Sequence, residues 1–135
     1  MSEDSETKIP QRLVISHAAE SEYAAHRFRP HLQMRDLGVA EATGGAVNIY
    51  LTRVSAPFNP AEEPGEHYHL PDFQYFYVLK GWQVMRFEGQ GEVTFREGSG
   101  WLQARGIRHQ VLGHSDDFEV LAVSLPVAFE TVAVG

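Results

Sequence analysis

From Val47 onward the chain is broken into short runs in which apolar and polar residues alternate. Val47–Val54, Phe73–Leu79, Gln83–Phe87, Glu92–Phe95, Trp101–Gln103, His109–Leu112 and Phe118–Leu125 are rich in Val, Ile, Phe and Tyr. Turn signals separate them: Asn59-Pro60, Pro64-Gly65, Gly81, Gly89-Gln90-Gly91, Gly98-Ser99-Gly100, Gly106, Gly113 and Ser115-Asp116-Asp117. Strands at this spacing with Gly/Pro turns predict a sandwich or barrel. No helix signal follows Pro30. Before it, Ser16 stands as an N-cap to a stretch of helix formers ending at Phe28, so one short helix is expected there. Residues 1–8 are polar and acidic and are expected to fray. The expected organisation is an N-terminal extension over residues 1–40, with one helix, followed by a β-barrel over 41–135.

Composition narrows the chemistry. A chain of 135 residues fits one domain with a real core. It has no cysteine and seven histidines, so disulfides, thiolate zinc and cysteine nucleophiles are excluded, and any metal must be held by nitrogen and oxygen donors. Eighteen acids against eleven bases give a net charge of −7, which offers no basic field for nucleic acid. No apolar run is long enough to span a membrane. The Met-Ser-Glu-Asp-Ser-Glu start lacks the apolar stretch of a signal peptide, so a cytoplasmic protein is expected. The glycines form no phosphate cradle between a strand and a helix.

The informative stretch is Pro64-Gly65-Glu66-His67-Tyr68-His69-Leu70-Pro71-Asp72-Phe73-Gln74, running on to Gly81. In an extended segment residues two apart share a face, so His67 and His69 project together. Two imidazoles on one face are a usual start to a mononuclear metal site. The pair alone fits equally well two surface histidines on an edge strand. Pro71-Asp72 then turns the chain and brings Gln74 back toward the pair. A second segment, from Gly98 through Gly106, ends at His109.

Together the two stretches resemble the cupin family of small antiparallel jelly-roll barrels. Gln74 follows His69 by five positions and Gly81 follows Gln74 by seven, as in the second half of the first cupin motif. Its leading glycine is displaced, with Ala61 in the expected place. The second motif is matched at Gly98, Gly106 and His109, while Ala104 stands where proline is expected and Gly113 where asparagine is expected. The resemblance covers about residues 45–125 and implies an all-β double-stranded β-helix in which His67, His69 and His109 bind a metal. The family's fourth ligand is a glutamate, and Gln74 stands in its place. A glutamine carbonyl can coordinate but carries no charge and takes no proton. The alternative is a three-histidine site, with Gln74 hydrogen-bonded to a histidine or turned to solvent.

With Gln74 inward, parity places Phe76 and Val78 inward and Tyr75, Tyr77 and Leu79 outward. Across Gly81 the inward set is Gln83, Met85 and Phe87. The expected substrate contacts are Phe76, Met85, Phe87 and Gln103. Tyr50, Arg53 and His114 are further polar candidates. His17, His26 and His31 read as solvated or capping side chains, as does His114 in its blander reading. The outward Tyr75, Tyr77 and Leu79 face suits a partner subunit, and by analogy a homodimer. The resemblance implies one divalent metal, iron first and Mn, Ni or Zn next, in a dioxygenase-like enzyme for a small dicarbonyl-type molecule. An isomerase or lyase is the nearest variant. A non-catalytic metal- or metabolite-binding module is the alternative from another class, and a purely structural barrel is a third. A site of imidazoles is expected to lose metal affinity below about pH 6.5.

Overall fold

The computed structural model describes residues 8–26 and 29–134. Its strands are β1 (Ala24–Ala25), β2 (Leu32–Asp36), β3 (Asn48–Val54), β4 (His67–His69), β5 (Phe73–Lys80), β6 (Trp82–Phe87), β7 (Gly91–Arg96), β8 (Gly100–Leu102), β9 (His109–His114), β10 (Glu119–Leu125) and β11 (Thr131–Ala133). Two antiparallel sheets face each other, one in the order β1-β2-β3-β10-β5-β8 and the other β11-β4-β9-β6-β7. The expected all-β jelly-roll is therefore observed. Each predicted segment is a strand to within a few residues at either end.

Alternation sets the two faces. Along β5 Gln74 and Val78 are buried while Tyr75, Tyr77 and Leu79 are exposed, and along β6 Gln83, Met85 and Phe87 are buried. Val78, Met85, Phe87, Phe95, Phe118 and Val120 form the central cluster, with Phe76, Trp101, Ile107 and Val111 packed against it. Cross-strand partners share a face. One inward row therefore runs Tyr50–Ala122–Phe76–Trp101, and the row beside it Asn48–Ser124–Gln74. Gly81 closes the β5–β6 turn at φ 73°, where a Cβ would also sit 2.9 Å from the Phe118 backbone, so only glycine fits.

The N-terminal helix expected over residues 16–28 is instead one 3₁₀ turn, Ala18–Glu20, followed by the strand pair β1–β2. Arg27 and Phe28, at the end of that prediction, lie outside the described residues, as do residues 1–7 of the expected frayed end. The physical reason is that a short helix without an apolar face is marginal in water, and pairing to β2 offers its backbone a better partner. Ser16 caps nothing; its hydroxyl accepts from Arg35 Nη2 at 2.8 Å. A four-residue helix, α1 (Val39–Ala42), does follow Pro30, against expectation. It starts from Gly38 at φ 85°, whose amide donates to Asp36 Oδ1 at 2.8 Å. The strand β2 was also missed by the pattern, because Gln33 and Met34 blur its alternation.

Candidate metal centre

β4 lies in the sheet opposite β5, so Pro71-Asp72 carries the chain across the barrel rather than folding it back in one sheet. His67 and His69 project inward from β4, and His109 pairs directly with His67. One ligand nitrogen from each of the three lies within 4.8 Å of the others. The rings are packed edge to face, with centroids 4.4 Å apart for His67 and His109 and 4.8 Å for His67 and His69.

Each imidazole is held from behind. His67 Nδ1 donates to the Gly65 carbonyl at 2.8 Å, and His109 Nδ1 donates to the Ile107 carbonyl at 3.0 Å. His69 Nδ1 is 2.7 Å from the Thr131 hydroxyl on β11. A carbonyl can only accept, so it fixes the proton on Nδ1 and leaves Nε2 as the lone-pair nitrogen. This is the arrangement that orients metal-binding imidazoles. Burial, then the neighbouring His109 and His67, pushes the pKa of His69 down to about 3. Burial also pushes His109 down to about 4, against the Ile107 bond that raises it. Both are neutral well below pH 6.5, so at these two nitrogens protons compete for the lone pair only at more acidic pH.

Gln74 is buried on the opposite sheet. Trp101 Nε1 donates to Gln103 Oε1 at 3.2 Å, which turns the Gln103 amide so that Nε2 donates to Gln74 Oε1 at 3.1 Å and reaches His109 Nε2 at 3.4 Å. The Gln74 carbonyl is thus engaged by Gln103, and Gln103 is the amide next to the imidazoles. The donor set of three imidazoles, each tethered through Nδ1, fits a divalent ion. In front of it lies a cavity of about 960 Å³ lined by Phe76, Met85, Trp101, Val111, Phe118 and Val120 together with Gln74, Gln83, Gln103 and Tyr50. Burial raises the Tyr50 pKa, so its phenol stays protonated.

The strand order and the paired sheets define the fold. No protein-family model matches the sequence, and no curated protein matches it. Solved structures do. RemF, a polyketide cyclase from Streptomyces resistomycificus, superposes with a TM-score of 0.71 at 18% identity, over 92% of this chain and 87% of that one. KdgF from Halomonas sp. matches with a TM-score of 0.65 at 15% identity, over 83% and 94%. HppE in its Fe(II) form matches at 0.63 and 13% identity, over 87% of this chain and 64% of that one. This chain has the cupin fold.

Within this cupin barrel the remaining candidates separate. Phe76, Met85 and Gln103 line the large cavity. Phe87 is packed against Phe95 and His109 instead, with ring centroids 6.0 and 6.2 Å away. Arg53 points to the outer face, where its guanidinium lies 3.7 Å over the Tyr23 ring. His17 is exposed, and His26 Nδ1 accepts the Arg29 amide at 3.1 Å. His31 and His114 are not solvated: they are 1% and 4% exposed and stack at 5.3 Å beside Glu63. A bulge explains His114. Val84 pairs with Gly113 and Met85 with Val111, so Leu112 is the extra residue and parity switches to aim His114 inward. Sequence reasoning also missed Thr131, Gly65 and Ile107 as tethers, because two of the three act through backbone carbonyls that any residue offers.

Proposed function

We propose that this cupin is a metal-dependent enzyme whose working ion sits at His67, His69 and His109 and whose substrate is a small, largely apolar molecule with a chelating 1,3-dicarbonyl head. The observation that carries this reading is the set of tethered imidazoles facing an apolar cavity with amides, Gln74 and Gln103, where a fourth, charged ligand would stand. A divalent ion there supplies uncompensated Lewis acidity and, as Fe(II), the capacity for dioxygenase-like chemistry. Every other contribution comes from the chain. Phe76, Trp101, Met85 and Val111 exclude water from the substrate body. The Gln103 amide, turned by Trp101, holds hydrogen-bond donors beside the imidazoles. The Tyr50 phenol is a neutral donor on the facing sheet.

Two neighbours support the chemistry. RemF is a polyketide cyclase, and polyketides are built from 1,3-dicarbonyl units. HppE was solved with Fe(II), which puts iron first among Fe, Mn, Ni and Zn. The exposed Tyr75, Tyr77 and Leu79 face supports a homodimer. Among the described residues no helix is long and apolar enough to cross a membrane.

Oxygen uptake by Fe(II)-loaded protein over a panel of β-dicarbonyl compounds tests the reading. Consumption that disappears in His67→Gln/His109→Gln supports it. Metal retention with neither oxygen uptake nor turnover of any dicarbonyl compound would favour the non-catalytic binding module.

A further inference from the structure

A second cluster of metal-ligating side chains sits at the far end of β9 from the first. His109 opens that strand and His114 ends it, a separation of about 16 Å at roughly 3.3 Å per residue. His114 meets His31, the residue before β2, and Glu63, which caps the 3₁₀ turn Pro60–Glu62. One ligand atom from each of His31, Glu63 and His114 lies within 4.8 Å of the others. The cluster is nearly closed to solvent, with no exposure of the His31 side chain and 4% for that of Glu63, although Arg29 and Glu63 also border the large cavity. Phe58 packs edge-on to both rings and Phe118 stacks on His114.

The hydrogen bonds decide what this cluster lacks. His114 Nδ1 donates to the Ser115 carbonyl at 3.0 Å, so Nε2 carries the lone pair, and that nitrogen is buried without a partner. His31 Nε2 donates to Glu63 Oε2 at 2.5 Å, which leaves its Nδ1 as a second buried lone pair without a hydrogen bond. Arg29 Nη2 also donates to Glu63 Oε2, at 2.7 Å, and Glu63 Oε1 is a third buried acceptor without a donor. Arg29 Nε is the one unpartnered buried N–H of the network, against three unpartnered electron-pair donors, and a cation held by those three would satisfy them. Glu62 Oε1, 3.7 Å from His31 Nδ1, adds a second negative charge nearby.

We propose that His31, Glu63 and His114 form a second divalent-metal site, separate from the cavity triad and suited to Zn(II). The ion takes electron pairs from His114 Nε2, a Glu63 oxygen and one ring nitrogen of His31, while Arg29 holds the other Glu63 oxygen in place. Two imidazoles and one carboxylate are a common zinc donor set that leaves a fourth position to water or a further ligand, and here it lies buried between the β2 edge, the Pro60–Glu62 turn and β9. The site would pin three segments remote in sequence.

The test counts ions with zinc alone. Chelator-stripped protein is reloaded, desalted and assayed for zinc per chain, in wild type, in His67→Gln/His69→Gln/His109→Gln, and in His31→Gln/Glu63→Gln/His114→Gln. Two ions are expected in wild type and one in each triple variant. The cavity-triad variant should also show a zinc-dependent rise in Tm, and adding Glu63→Gln to it should weaken zinc binding by more than about 100-fold, a comparison that holds even where the second triple variant fails to fold. No zinc in the cavity-triad variant, with one retained in wild type, overturns this proposal and leaves the reading of the cavity triad standing. No zinc in wild type overturns both.

Discussion

The two ends of β9 hold histidine clusters built on opposite plans. At His109 three imidazoles meet without a carboxylate among them, each held through Nδ1 and open to a large apolar cavity. At His114 two imidazoles meet a buried carboxylate that is pinned by Arg29, with aromatic rings closing off solvent. The first plan leaves coordination positions free for a substrate and keeps the charge of an ion unneutralised. The second holds its carboxylate almost fully buried and pinned by Arg29, at the border of the same cavity. On the proposed readings one strand would serve an open reactive centre at one end and a fastening at the other, and the difference lies in which partner faces each end.

The largest effect that separates them is on stability. Glu63→Ala strips Arg29 and His31 of their buried partner and is expected to cost about 3–5 kcal/mol in urea unfolding, while His67→Ala, at the cavity, costs less than about 1 kcal/mol. Equal losses would erase the distinction between fastening and reactive centre. Next, His67→Ala/His109→Ala is expected to lower metal affinity at the cavity by more than about 100-fold, read by competition with a chromophoric chelator. Thr131→Val removes the hydroxyl behind His69 and is expected to weaken the same site by about 10–100-fold while leaving the fold intact.

Acid sharpens the comparison further. His26 and His109 are held at about 4 and His69 at about 3, and His114 is also lowered, in each case chiefly by burial. The unfolded chain binds protons at His26, His69 and His109 near pH 6.5, whereas the folded chain waits until about pH 3–4. Between those values the unfolded state holds more protons, so stability falls as pH drops from about 6.5 toward 4. A urea midpoint flat across that window would contradict the buried, neutral imidazoles. The smallest effect expected is that of Gln74→Glu: its carboxylate still accepts from Gln103 Nε2, so metal is retained, with affinity for divalent ions raised about tenfold or less. Loss of metal in this variant would mean that the amide pair itself supports the imidazoles.

Much of the cavity site was legible because it follows from local rules. His67 and His69 share a face by the two-residue period of a strand, and the same period set Gln74, Phe76 and Val78 against Tyr75, Tyr77 and Leu79. The third imidazole, His109, was implied only by the resemblance of the Gly98–His109 stretch to the second cupin motif. The helix over residues 16–28 failed because local propensity there loses to pairing with β2. That His114 is buried against His31 could not be read locally, because one extra residue, Leu112, reverses parity and a bulge has no signature in that stretch.

By itself the sequence determined which residues could bind metal, that their donors are nitrogen and oxygen, and which side of β5 and β6 each residue takes. Those are matters of composition and of neighbours two positions apart. Only the tertiary structure decided which lone pairs point inward, through Gly65, Ile107 and Thr131. It alone showed that Gln103 engages the Gln74 carbonyl, and that His31, Glu63 and His114 meet at all. The Gly65 and Ile107 tethers are local, two residues from their histidines, whereas the others depend on contacts about 30 to 80 residues apart, set by how two sheets close on each other rather than by any local preference.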